Sequence, residues 1–324
     1  RRGRDCRQYV CGARAVTKME YAIVSTAVAD HIRFSSGEDI GFRLGGAGIY
    51  AWSGVRLWSD SCRLITGVGA DFSTLFDGWL RESGADTSGL IVKDARTAIS
   101  NIQYFEDGER VETPEYGLTH YAKLEAAPEE IAQHARGTKG VYLFKDLSET
   151  FWDRLLAYKK ELGFRLLWEI NADAARPERY AEILRRAEEC DVFSINRAEA
   201  MALFDTTSEQ RAIGNLVRWG LPMVYLRRGA RGAIIITPRG VEEIPPAPVE
   251  RVVDPTGAGN SASAAVLYGF CEGMPPYECG LLGSISASFC IRQYGPPVID
   301  DAVMAQAKRQ LEQMKRDHDN AQKR

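Results

Sequence analysis

The sequence predicts an α/β protein with a mostly parallel central sheet covered by helices and a small β lid set apart from it. Two patterns carry that expectation. Short β-branched apolar runs alternate with segments whose apolar residues recur every three or four positions, so strands and amphipathic helices take turns along the chain. Two further segments read as strand, turn and strand, with more polar character than the core runs. Strands buried on both faces and alternating with helices pack as a covered parallel sheet. The chain has 324 residues, 45% hydrophobic and 26% charged, enough for a sizeable core and near the soluble average.

Taken in order, the opening "RRGRDCRQYVCGARAVTK" holds five arginines and one lysine and no apolar centre. Residues 1–18 are therefore expected to be a disordered extension outside the fold, with Met19 opening the domain. "YAIVSTAVAD", from Tyr21 to Asp30, reads as the first strand. "HIRFSSGEDIGFRL" and "TAISNIQYFEDGERVET" supply the lid, near 31–44 and 96–117, and flaps of this kind close over a ligand to exclude water. The runs "CRLITGVG", "GVYLF", "FRLLWEI", "DVFSI", "MVYLR" and "GAIIIT" read as sheet strands. "STLFDGWLRESG", "TFWDRLLAYKKELG" and "PERYAEILRRAEEC" read as helices. One domain over 19–312 results, and 313–324 is expected to fray from a last helix as a charged tail.

A formal charge of −3 argues against nucleic-acid and membrane-surface partners and for a small-molecule ligand. The 7 cysteines have no CxxC spacing, so neither a disulfide framework nor a zinc site is indicated and a cytoplasmic location is expected. No apolar run approaches the roughly 18 residues of a membrane-spanning helix. The four histidines are widely separated, and no P-loop or H-E-x-x-H occurs.

The chemistry concentrates in "VVDPTGAGNSASAA", Val252 to Ala265. "VERVV" reads as a strand, Pro255 fixes the backbone, Gly257 and Gly259 permit unusual dihedrals, and a helix follows. A glycine turn at a helix N-terminus offers free N–H groups and the positive end of the helix dipole to an anion such as a phosphate. On spacing alone the same residues also read as a tight strand-to-helix crossing.

"DPTGAGN" resembles the DTxGAGD signature of the ribokinase (PfkB) family of carbohydrate and nucleoside kinases. Other segments follow in that family's order: "LGGAGIYAWSGVRL" resembles its glycine pair, "GVGADFSTLFDGWLRESGADTSGL" its next strand and helix, "NRAE" its N-x-x-E motif, and "VYLRRGARGAIIIT" the strand pair before the signature. The resemblance implies a ribokinase-like three-layer sandwich with a β lid, phosphorylating a hydroxyl with ATP and Mg2+, with a monovalent cation in some members. It implies that Asp30 binds substrate hydroxyls and that Gly45 and Gly46 form the lid hinge. Gly257, Ala258 and Gly259 would be the backbone anion hole, with Asp254 and Thr256 on the cofactor side. Asn196 and Glu199 would organise the metal and phosphate through water, although an Asn with Glu three residues on also reads as a helix capping box. Exposed lid strands offer edges for pairing, so a homodimer through the lid is one reading.

The sequence departs from the family at Asn260, where an aspartate accepts the proton of the attacking hydroxyl. An amide can orient that hydroxyl but has no useful basicity. Two classes stay open: a kinase of a sugar, polyol or nucleoside, slowed at the base position, and an inactive nucleotide- and sugar-binding relative with a regulatory role. A dinucleotide fingerprint in "GAGIYA" lacks the preceding core strand and the acidic residue that such a site needs. Arg227, Arg228 and Arg231 read as solvated turn residues, Asp71 as a helix cap, and His31 as a lid residue near the substrate.

Overall fold

The computed structural model describes residues 19–105 and 110–322. Its strands are β1 (Tyr21–Val24), β2 (Val28–Phe34), β3 (Asp39–Gly45), β4 (Cys62–Gly69), β5 (Leu90–Asp94), β6 (Ile99–Tyr104), β7 (Arg110–Pro114), β8 (Gly140–Phe144), β9 (Arg165–Glu169), β10 (Val192–Asn196), β11 (Val224–Arg227), β12 (Ala233–Thr237) and β13 (Gly240–Ile244). Its helices are α1 (Ala47–Arg56), α2 (Phe72–Glu82), α3 (Gly117–Leu124), α4 (Pro128–His134), α5 (Glu149–Leu162), α6 (Tyr180–Glu188), α7 (Arg197–Leu203), α8 (Glu209–Arg218), α9 (Ala258–Cys271), α10 (Pro276–Cys290) and α11 (Asp301–Gln322).

Nine strands form one sheet in the order β13-β12-β11-β10-β9-β8-β1-β4-β5, parallel from β11 to β5, with β12 and β13 antiparallel at one edge. Two cores flank it. Trp52, Phe72, Leu267, Leu282 and Ile285 pack on one face, and Ile131, Trp152, Leu155, Ile183 and Leu216 on the other, giving helix, sheet and helix layers. The four-stranded lid, β3-β2-β6-β7, stands apart. Helix α9 is lined by buried Ser261, Ala262, Ser263, Ala264 and Ala265, and a Cβ on Gly54 of α1 would lie 2.0 Å from the Ser261 carbonyl. Small residues therefore let α1 and α9 cross closely, which puts the start of α9 over the sheet.

Three expectations are corrected. The run from Tyr21 to Asp30 is two strands: β1 lies between β4 and β8, the chain leaves the sheet at Ser25, and β2 pairs with β3 and β6 in the lid. Ten residues exceed the usual strand of about five or six, and apolar periodicity does not mark where pairing partners change. "VERVV" is not a strand. Pro245, Pro246 and Pro248 interrupt N–H donors before it, Val252 is exposed, and Val253 N–H is bonded to the Ile291 carbonyl at 2.8 Å. The last helix runs on to Gln322, so 313–322 is helix rather than frayed tail, with Leu311 and Met314 buried beneath it. The extension at 1–18 lies outside the described residues.

Candidate active site

The "DPTGAGN" turn is built by its own side chains. Asp254, 2% exposed, accepts the Thr256 N–H at 2.9 Å and its hydroxyl at 2.6 Å. Gly257 follows at φ 74° as the N-cap of α9, without a side-chain capping bond. Left-handed φ favours glycine, and a Cβ there would sit 2.0 Å from the Tyr50 ring. Helix α9 thus begins on bare backbone, with N–H groups of its first turn lacking helical partners. Burial, and then the Asp30 carboxylate, pushes the Tyr50 phenol well above its ordinary value, so it remains a neutral hydroxyl.

This turn is a wall common to two cavities. One, of about 320 Å³, is lined by Thr256, Gly257 and Asn260 from the turn and by Thr26, Asp30, Gly46, Tyr50, Tyr121 and Phe144 opposite. The other, of about 460 Å³, is lined by Pro255, Ala258 and Gly259 from the turn, by Arg227, and by Tyr225, Ala247, Val249, Ala262 and Ile291. Its walls are largely apolar. The first cavity adjoins a third, of about 250 Å³, through Thr26, Tyr121 and Phe144.

Asp30 is on lid strand β2, not at the end of a core strand, and is 5% exposed. A Cβ on Gly45 would fall 1.8 Å from its Oδ2, so the carboxylate lies across the glycine. Gly46 joins β3 to α1 at φ 93°, where the lid meets the body. The lid reaches the turn directly: Tyr104 Oη donates to Asp254 Oδ1 at 2.9 Å and lies 3.2 Å from Thr256 Oγ1. Asp71 does not cap α2 with its side chain. Its Oδ1 accepts both N–H and hydroxyl of Thr97 at the foot of the lid, at 2.7 and 2.6 Å. His31 points away from the cavity and bonds Asp39 at 3.0 Å.

Asn260 is held from behind. Its Nδ2 donates to Tyr142 Oη and to Glu169 Oε1, each at 3.1 Å, while Tyr142 Oη donates to Glu169 Oε2 at 2.8 Å. Arg227 Nη1 pairs with Glu169 Oε1 at 2.9 Å, and its Nη2 lies 3.6 Å from Glu199 Oε2. Arg227 is not a solvated turn residue: its side chain is 14% exposed, and a Cβ on Gly259 would lie 2.2 Å from Nη1. The guanidinium therefore abuts the first turn of α9 at Gly259. Arg228 pairs with Glu209 and Glu243, and Arg231 with Glu209, away from the turn.

Asn196 and Glu199 do form the capping box: Asn196 Oδ1 accepts the Glu199 N–H at 2.9 Å, and Glu199 Oε2 accepts the Asn196 N–H at 2.8 Å. Burial pushes the Glu199 carboxyl up, opposed by Arg227. Among the described residues no group of three or more His, Cys, Asp or Glu side chains gathers as a metal cage. The residues that sequence reasoning missed are Tyr142, Glu169 and Tyr104, and it misplaced Arg227. A lone carboxylate inside the apolar run "FRLLWEI" was the available signal for Glu169, because a charge is rarely fully buried unless paired.

The family model described as pfkB family carbohydrate kinase matches residues 20–300. A cytidine kinase of Thermococcus kodakarensis is 24% identical over 286 residues, 86% of this chain and 98% of that protein. The fold superposes on an adenosine kinase from Sinorhizobium meliloti with TM-score 0.76 and 22% identity, covering 90% of this chain and 99% of that one. It also superposes on an E. coli protein described as a putative ribokinase II in complex with ATP and Mg2+, at TM-score 0.74 and 17% identity, over 91% and 99% of the two chains. A glycine turn between two cavities, a lid that touches it, and a match spanning the domain from end to end agree: this chain belongs to the PfkB family of carbohydrate kinases.

Proposed function

We propose that the protein phosphorylates a hydroxyl of a sugar, polyol or nucleoside at the expense of ATP. The observation that carries this reading is the placement of one glycine turn between a largely apolar cavity and one lined by Asp30, Thr256 and Asn260, which suits a nucleotide on one side and a hydroxyl acceptor on the other. The first turn of α9 would bind the phosphoryl group in transit, Asp30 would hold acceptor hydroxyls, and Gly45 and Gly46 would hinge the lid. Asp254 holds the turn through Thr256, which lines the acceptor cavity rather than the one proposed for the nucleotide. The residues fit a polyphosphate: the Arg227 guanidinium lies against Gly259 through Nη1, and its Nε and Nη2 make no hydrogen bond. Magnesium suits the site as well, since it keeps several waters and needs only one or two carboxylates beside substrate phosphates. Glu199, with Asn196, would face it through water, and the bound ion would neutralise phosphate charge.

Asn260 presents an amide to the acceptor where the family has a base. Loss of a positioned base costs about 10²–10⁴ in rate, while a loose phosphoryl transition state leaves positioning and anion stabilisation to the residues present. The adjoining cavity of about 250 Å³ extends the acceptor site beyond one sugar ring, which favours a nucleoside. The cytidine and adenosine kinases among its relatives agree with that choice. The same reading places the protein in the cytoplasm, supported by the five described cysteines being free thiols. Exposed Phe42 and Val111 on the lid's outer strands support a homodimer through the lid.

The test is ATP-dependent product formation over sugars, polyols and nucleosides, with and without K+, with wild type beside Asn260→Ala. Turnover by wild type and its loss in the variant are expected. Binding of ATP and acceptor without product would favour the regulatory binding protein instead.

A further inference from the structure

We propose that Glu169 is the positioning residue of the acceptor site and carries the negative charge that the family places at residue 260. This rests on the phosphoryl-transfer reading above. An ionised carboxylate only accepts hydrogen bonds, and the single Tyr142 phenolic proton is already given to Glu169 Oε2. Both atoms facing Asn260 are therefore acceptors, so the amide must turn its nitrogen to them. Neither Tyr142 nor Glu169 lines the acceptor cavity, whereas Asn260 does. The carbonyl oxygen of Asn260 is thus the atom offered to a substrate hydroxyl, as an acceptor of fixed direction.

The same contacts explain why residue 260 is an amide. A carboxylate there would set an anionic oxygen about 3 Å from Glu169 Oε1, judged from the 3.1 Å contact it replaces, and two carboxylates so placed must share a proton. The groups around the pair are Tyr142 on β8, Arg227 and Tyr225 on β11, and Glu199 on α7 through Arg227. On the cavity side they are Asp30, Tyr50, Glu112 and Tyr121. Arg227 is the one cation among these, and it is already paired with Glu169 and close to Glu199.

The experiment compares full-length wild type, Asn260→Asp, Glu169→Gln and the double variant Asn260→Asp/Glu169→Gln. Thermal unfolding from pH 5 to pH 9 is read first because it needs no activity. In Asn260→Asp the folded pair binds a proton more tightly than the unfolded chain does. Its stability relative to wild type therefore falls as pH rises through the raised folded value. A drop in Tm of about 3 °C or more, relative to wild type, is expected across that rise. In the double variant the new amide at position 169 can donate to the new carboxylate at position 260, and the pH-dependent loss disappears. Should Asn260→Asp fail to fold while the double variant folds, the proposal is supported. It is overturned if both fail to fold, or if the Asn260→Asp curve runs parallel to wild type and Glu169→Gln leaves it unchanged.

Turnover is read second. The double variant restores an unshared base and should exceed wild type by about 10²-fold or more, whereas Asn260→Asp alone at neutral pH should not. A faster Asn260→Asp that Glu169→Gln does not improve would also overturn the proposal. Absence of product from every variant, with the unfolding pattern as expected, would remove the kinase reading and leave the charge placement standing.

Discussion

The two sides of the "DPTGAGN" turn are made differently. On the side of the cavity of about 460 Å³, the one proposed for the nucleotide, the wall is mostly backbone and apolar residues, with Ala258 and Gly259 facing Val249, Ala262 and Ile291. On the side of the cavity of about 320 Å³, the one proposed for the acceptor, Asn260 reaches the wall and is held from behind by polar side chains of distant strands, Tyr142, Glu169 and Arg227. A backbone anion site needs only glycine and a helix start, so one short motif specifies it. A side-chain network needs several elements in register, so no single segment specifies it. The first side is thus specified locally, the second only by tertiary convergence.

The comparison breaks most severely at Arg227, the residue that belongs to both sides. Arg227→Met leaves Glu169 and Glu199 buried without their cation, and a loss of about 3–5 kcal/mol in denaturant unfolding is expected. The loss should grow with pH. Burial already raises the Glu199 carboxyl, and removing the opposing Arg227 raises it further, so the stability present at low pH disappears as pH climbs through that value. A pH-independent loss would show that Glu199 is not coupled to Arg227.

Gly257→Ala tests the backbone side. The added methyl meets the Tyr50 ring in a left-handed backbone, displacing the start of α9. Loss of an oriented anion-binding donor is worth about 10²–10³ in kcat, and KM for the acceptor should change far less; a raised KM with kcat unchanged would mean the turn only binds. The smallest expected effect lies where lid and turn meet. Tyr104→Phe removes a hydroxyl contact worth about 1 kcal/mol. Acceptor KM should rise roughly fivefold, the same energy expressed as binding, with thermal stability nearly unchanged. An unchanged KM would show that the contact does not hold the lid closed.

Much of this was legible in the chain. The six core runs from "CRLITGVG" to "GAIIIT" all became sheet strands, because short β-branched segments buried on both faces carry their own signal. The turn at Gly257 was legible because its positive φ and close approach to Tyr50 demand glycine, and the Asn196–Glu199 cap because capping is local. Asp30 was found as a residue but assigned to the wrong strand. The apolar pattern of "YAIVSTAVAD" is continuous across Ser25 to Ala27, where the hydrogen-bonding partners change from the sheet to the lid.

What the sequence determined alone is therefore what depends on neighbours within a few residues: strand and helix periods, the glycine turn, the cap, and the ordered motifs of a PfkB kinase. What only the tertiary structure decided is which distant groups converge. Residues 142, 169, 227 and 260 lie on four separate elements, and nothing local to any of them reveals a hydrogen bond to the others. Parallel strands bring residues tens of positions apart into side-by-side register, so the environment that makes Asn260 a fixed acceptor, rather than a missing base, exists only once the sheet has assembled.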